Sequence, residues 1–216
     1  MSLIAFYKEK TNGTLHIMAD CSVSDGGFSL AAHTPKLCSL QDEKGNHIVT
    51  FASVGSAVQQ NVLEKICFSN TPLLKEEELD KLYCSKDYKR LIKLVAFDII
   101  EIYKELIEEI LEESEERGEL LIALKGEIFS VDAKYAVIDP IAPYYVLGSP
   151  SEIVIGSIAT KLEEQVETEP TGQQVRKLLN EAFMIGKQFY QGSILTPFTY
   201  VVQKGKPHEP FLKVVS

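Results

Sequence analysis

The tightest constraint on this chain lies at its start. Leu3-Ile4-Ala5-Phe6-Tyr7 is an apolar, strand-like run, Thr11-Asn12-Gly13 supplies a hairpin turn, and Leu15-His16-Ile17-Met18-Ala19 returns along it to end on Asp20. A second polar turn, Ser24-Asp25-Gly26-Gly27, leads to Phe28-Ser29-Leu30 and then to Lys36 within His33-Thr34-Pro35-Lys36-Leu37. A strand that begins almost at residue 1 puts the amino terminus inside the fold, where most termini fray. The remaining chain has to be organised around this stretch, which also holds Asp20 and Lys36, the polar residues whose spacing suggests chemistry.

A chain of 216 residues is within reach of one α/β unit with a single core, so one domain over residues 1–216 is expected. A net charge of −9 and a pI near 5.0 argue against a general nucleic-acid binder, which needs clustered Lys and Arg. No apolar run is long enough to span a bilayer, and the start lacks the basic-then-apolar pattern of a signal peptide. The expected setting is the cytoplasm, with neither membrane nor nucleic acid as a partner. Cys21, Cys38, Cys67 and Cys84 form no Cys-x-x-Cys and read as free thiols. Cys21, next to Asp20, is either a nucleophile or a small residue beside a strand end. His16, His33, His47 and His208 lack metal-ligand spacing, so no metal is expected; no cofactor is expected either, and no Gly-rich phosphate loop follows a strand.

Further along, His47 to Ala52 reads as a buried strand, and Ser53-Val54-Gly55-Ser56-Ala57 opens a helix through about Cys67. Residues 69 to 86 read as a connector with a short helix. From Asp87 to Arg117 the pattern predicts the longest helix, with one apolar stripe through Leu94, Ile99 and Leu106 and a second through Ile92, Ala96, Tyr103 and Ile107. Two stripes imply burial on more than one side, against a sheet and against another helix or subunit; the glutamates toward its end read as a solvated face. Strands follow at 120–124, 128–131, 135–138 and 144–148, then helices from Ser151 to about Glu167 and from Gln173 to about Gln191. Strands at 197–202 and 211–215 close the chain.

The order strand, turn, strand, Asp, Gly-containing turn, Lys resembles the start of a proteasome β-subunit or of the HslV peptidase, within the N-terminal nucleophile (Ntn) hydrolases. Asp20 and Lys36 match the acid and the lysine that lie beside that family's nucleophile. The resemblance spans nearly the whole chain and implies an α+β fold, the four-layer αββα sandwich, which agrees with the element order. It also implies a Gly-rich turn that lends a backbone N–H to an oxyanion hole, with Gly55 the candidate and Val54 its rival by a different count; an ordinary helix start is the alternative. Gly148 and Ser149 match the Gly-Ser of a helix-start motif whose serine joins the active-site network, while Pro150 replaces its second glycine; Ser149 could equally be a helix N-cap.

Three further positions depart from the family. Counting back from Leu3 puts Met1 at the catalytic threonine and Ser2 one residue late, so strand alternation would turn Ser2 away from Lys36 unless the strand slips or bulges. Lys187 and Tyr190 stand where the family has an acid and a small hydroxyl residue, and Lys187 beside Lys36 would set like charges together. Two functions stay open. One is a threonine/serine-type peptidase or amidohydrolase, with Ser2 as nucleophile after loss of Met1, acting on a peptide or amide substrate together with Asp20, Lys36 and Ser149. The other is a catalytically inactive proteasome-like assembly or binding protein. Either is expected to form a homo-oligomer through the doubly striped helix.

Overall fold

The computed structural model describes residues 2–25, 28–31, 36–41, 45, 47–55, 57–68, 81–82, 85–110, 118–164, 168–189 and 198–204. The first hairpin pairs strands β1 (Leu3–Lys8) and β2 (Leu15–Ala19), and its turn is held by Asn12, whose Oδ1 accepts the Thr14 N–H at 2.8 Å. A two-stranded ribbon of β3 (Ser22–Asp25) and β4 (Phe28–Ala31) follows. Next come β5 (Leu37–Gln41), β6 (His47–Val54), helix α1 (Ala57–Phe68) and the long helix α2 (Tyr88–Glu108). Strands β7 (Glu119–Leu124), β8 (Glu127–Val131), β9 (Val137–Ile138) and β10 (Tyr144–Gly148) precede helices α3 (Ser151–Glu164) and α4 (Gln173–Phe189) and strand β11 (Thr199–Gln203). Two antiparallel sheets result, in the orders β10-β1-β2-β11 and β5-β6-β7-β8-β9.

The layering follows from which side each strand residue faces. Leu3, Ala5 and Tyr7 of β1 pack with Val154 and Ile158 of α3 and with Leu179 and Phe183 of α4. Ile4 and Phe6, on the alternate face, meet Ala52, Leu121, Ala123 and Ile128 of the second sheet. Leu120, Ile122 and Leu124 of β7 turn the other way, onto Leu63 and Ile66 of α1 and Ile92, Ile99 and Tyr103 of α2. Three apolar layers between four structural ones make the expected αββα sandwich. In α2 the inner stripe is buried throughout, whereas Leu94, Phe97 and, past the helix end, Ile110 are exposed.

Several boundaries differ from those the sequence suggests. Strand β5 directly after Lys36 was not expected, because Leu37-Cys38-Ser39-Leu40-Gln41 is short and mixed; it is made by pairing with β6, Leu37 opposite Ala52. The strand expected at 135–138 is reduced to β9, since Asp132 organises a turn: its Oδ1 accepts the Lys134 and Ala136 N–H groups at 2.8 and 2.9 Å, and Tyr135 takes φ 66°. Helix α2 ends at Glu108. Residues 111–117, most of the connector at 69–86, the ends of the two later helices at 165–167 and 190–191, and the strand expected at 211–215 lie outside the described residues. Among the described residues no helix is long and apolar enough to cross a membrane.

Candidate functional site

The start of β1, the end of β2, the starts of β5 and β11, and the ends of β6 and β10 lie at one end of the sandwich, as the pairs Ile4–Ala19, Leu3–Gly148, Thr199–Ala19 and Leu37–Ala52 require. Here Lys36, just before β5, reaches across from the second sheet and donates to Asp20 Oδ1 at 2.6 Å. The same oxygen accepts the backbone N–H of Leu3 at 2.8 Å, and the Asp20 N–H returns a bond to the Leu3 carbonyl at 3.0 Å. Asp20 is 0 % exposed and Lys36 7 %, so the pair lies at the floor of this end. Burial pushes the Lys36 ammonium below its usual pKa, and the Asp20 carboxylate and Cys21 offset that only in part. Lys187 is half-buried near the end of α4, and Tyr190 lies outside the described residues.

Ser2 directly precedes the residue bound to Asp20. Its carbonyl accepts the Ser149 N–H at 3.0 Å, which continues the β1–β10 pairing by one step. Gly148 makes this approach possible: it has φ 91°, and a Cβ there would sit 1.8 Å from the Ser2 carbonyl oxygen and 3.2 Å from a Val54 methyl. Ser2, Gly148 and Val54 therefore share one corner with the Asp20–Lys36 pair. Continuing the β1 alternation back from Ile4 and Phe6 gives Ser2 the face between the sheets, the side from which Lys36 arrives.

Ser149 itself is exposed. Helix α3 begins one residue later than an N-cap role for Ser149 requires: the Pro150 carbonyl accepts the Val154 N–H at 3.3 Å, so Pro150 holds the cap position, behind a cis Ser149–Pro150 peptide bond. Gly55 follows Val54 at the end of β6 with φ 142°, and its Cα packs so closely on Gly118 that a Cβ would lie 2.8 Å from the Gly118 Cα and 2.4 Å from Gln59 Oε1. Close backbone packing thus accounts for glycine at this position, next to the corner. Cys21 is half-buried, with its Sγ 3.4 Å from the Thr199 hydroxyl.

The opposite end of the first hairpin carries a polar cluster whose partners lie too far apart in the chain for its sequence to reveal. His16 is buried with Nε2 on Glu9 and Nδ1 on the Tyr200 hydroxyl. Burial pushes the Glu9 carboxyl up, but the Gly172 N–H, the His16 ring and the Asn12 amide outweigh it and hold the pKa below its usual value. Burial pushes His16 down, against a smaller pull from Glu9. A neutral His16 that donates from Nε2 and accepts at Nδ1 satisfies all three groups.

No family model matches the chain, and no curated protein sequence does. Solved structures do. BPH of Thiobacillus denitrificans, solved in complex with epoxomicin, superposes with a TM-score of 0.64 over 95 % of this chain and 100 % of its own, at 20 % identity. HslV of Trypanosoma brucei gives 0.62 over 94 % and 99 % at 16 % identity, and a mutant of Anbu from a Hyphomicrobium species 0.59 over 94 % and 82 % at 15 %. At these identities the likeness is one of fold: the chain has the proteasome-like Ntn-hydrolase fold, and its chemistry has to be argued from its own residues.

Proposed function

We propose that the chain is a cytoplasmic peptidase or amidohydrolase of the proteasome/HslV-like kind, with Ser2 as its N-terminal nucleophile once Met1 has been removed. The carrying observation is that one oxygen of Asp20 accepts both the Lys36 ammonium and the Leu3 N–H. That arrangement ties a buried cation to the residue adjoining Ser2. Counting back from Leu3 still puts Met1 at the family's nucleophile position, and the reading is supported by Ser2 directly preceding the residue that Asp20 holds.

In this reading the Ser2 hydroxyl attacks the carbonyl carbon of a peptide or amide bond. Its proton passes through water to the free α-amine of Ser2, which later returns it to the leaving amine. An α-amine ordinarily titrates near pH ~8, and the ammonium of Lys36 beside it disfavours a second positive charge, leaving the amine free to act as a base at neutral pH. Asp20 holds Lys36 in place and limits how far burial depresses it. The Gly55 N–H, next to the Ser2–Gly148–Val54 corner, is the donor proposed for the oxyanion, and the Ser149 hydroxyl is proposed to join the site's hydrogen-bond network.

The test starts from the intact mass of protein purified from its native host, followed by hydrolysis of short peptide amides. Loss of Met1, with activity abolished by Ser2→Ala and Lys36→Ala and only weakened by Ser149→Ala, is the expected outcome. Retained Met1 blocks the amine and overturns the mechanism; activity that survives Ser2→Ala moves the nucleophile to Cys21. A second reading, an inactive assembly or binding protein, is favoured by Pro150 at the family's second glycine and by the depth of the Asp20–Lys36 pair, since buried pairs also serve structure alone.

A further inference from the structure

Leu37 and Cys38 open β5 on opposite faces: Leu37 packs between the two sheets, and Cys38 turns to the helical layer beyond. Helix α1 begins just after β6 ends and packs on β5 and β6, so its last turn brings Ile66 and Cys67 into that same layer. The two thiols meet there. Cys38 is 6 % exposed and Cys67 2 %, neither is in a disulfide, and a hydrogen bond joins their side chains. They stand about 30 residues apart in the chain, which is why their spacing reads as two separate thiols.

The hydrogen bond makes the pair unequal. Donation from Cys38 holds the Cys67 thiol below its usual pKa, although burial and the Glu64 carboxylate act against it. The same bond, with burial and the Glu64 charge, pushes Cys38 up, and Gln60 opposes that only weakly. Cys67 is therefore the first to become a thiolate, with a thiol already beside it. A thiolate so placed, once oxidised to a sulfenic acid, condenses with its neighbour rather than oxidising further. Among the described residues the two thiols belong to no group of three or more His, Cys, Asp and Glu side chains that could hold a metal ion. Cys67 lies one residue from the end of α1, where helices fray, and an oxidant as small and uncharged as hydrogen peroxide can enter through such local opening.

We propose that Cys38 and Cys67 are a reversible redox pair, which a hydroperoxide converts to a disulfide that staples the last turn of α1 to β5. The Cys67 thiolate attacks one oxygen of hydrogen peroxide, the O–O bond breaks, and the departing hydroxide takes up the proton Cys67 gave away. The Cys38 sulfur then attacks the Cys67 sulfenic sulfur. An S–S bond forms, the S–O bond breaks, and the hydroxyl leaves as water with the Cys38 proton. Two thiols lose two electrons and two protons, and one peroxide becomes two waters; a dithiol reductant restores the pair. The inference stands apart from the proposed hydrolysis, because neither thiol belongs to the Ser2 corner.

The test treats the reduced full chain with near-equimolar hydrogen peroxide, blocks remaining thiols with N-ethylmaleimide in denaturant, and reads the intact mass and a non-reducing peptide map. The expected product is lighter by about 2 Da, yields a Cys38–Cys67 linked peptide, and reverts with dithiothreitol. Closing this loop should raise Tm by roughly 4–16 °C. In Cys38→Ala the reaction should stop at the sulfenic acid, so that dimedone labels Cys67 at least about fivefold more than in the wild type. Oxidation in urea, with the fold lost, should show no preference for Cys38–Cys67 over pairings with Cys21 or Cys84. Both thiols left unlinked in the folded chain, a dominant link to Cys21 or Cys84, or an oxidised chain that melts no higher would each overturn the proposal; the wild-type map and melting curve decide it even if the variant does not fold.

Discussion

Removing the charge of Lys36 is the sharpest structural perturbation this chain offers. Lys36→Met keeps the length of the stem but takes away the ammonium, so the fully buried Asp20 carboxylate keeps the Leu3 N–H on its Oδ1 and loses the Lys36 cation. Breaking a buried pair from one side costs about 3–5 kcal/mol, because the surviving charge has already lost its water. In a chain of 216 residues each kcal/mol moves Tm by about 2–4 °C, so a fall of roughly 6–20 °C is expected. Asp20→Asn should cost less, about 1–3 kcal/mol: the amide oxygen still accepts the Leu3 N–H, and Lys36, already held down by burial, can shed its proton. The double variant leaves a neutral pair, so urea unfolding of all four proteins at pH 7.5 should give a coupling of about 2 kcal/mol or more. Additive single effects, or a Lys36→Met cost under about 1 kcal/mol, would refute the idea that this pair is a coupled, desolvated unit. The result also bears on activity, since a Lys36 variant that loses hydrolysis while retaining only part of its stability says little about catalysis until the stability term is known.

Two further outcomes follow from the geometry. Glu9 and His16 both have depressed pKa values in the folded chain, so the unfolded chain binds more protons as pH falls, first through the ordinary histidine range near 6.5 and then through the ordinary carboxylate range near 4.5. Thermal stability should therefore fall between pH 7.5 and 5.5, and a His16→Gln variant should show a smaller fall over that window; equal falls would remove His16 from the account. The exposed Leu94 and Phe97 on the outer face of α2 suit a contact between copies of the chain, and light scattering should find an oligomer that Leu94→Glu/Phe97→Glu dissociates; a wild-type monomer at high concentration would refute it.

Most of the fold was legible because its signals are local. The alternation in β1 and β7 and the second stripe of α2 state which faces are covered; of the first stripe, Ile99 is buried against α1 and the second sheet while Leu94 stays exposed. What stayed hidden depends on partners far along the chain. Nothing within Leu37–Gln41 marks a strand until β6 lies beside it. Glu127 reads as a turn residue, yet it joins Lys8, 119 positions away, to Tyr88. The register of Ser2 is hidden for the same reason: it is set by Gly148 opposite Leu3 and by Asp20 beneath it, and counting residues across hairpins cannot recover a distance fixed by pairing.

That register also bears on the choice between a catalytic and a purely structural terminus. An amino terminus that has only to be tucked away needs ladder bonds, and those are present in the Asp20 N–H to Leu3 carbonyl and the Ser149 N–H to Ser2 carbonyl contacts. The bond from Leu3 N–H to the Asp20 side chain is a different kind of contact, because it puts a desolvated carboxylate where a carbonyl would have served. The carboxylate in turn demands a desolvated lysine from the other sheet, and such pairs often add no stability over apolar residues of the same volume. A sandwich with Leu3, Ile4, Ala19 and Leu37 already fully or almost fully buried around this point has apolar side chains at hand to fill the space. Under the hydrolase proposed above that cost has a use, because the Lys36 ammonium would keep the α-amine of an N-terminal Ser2 neutral.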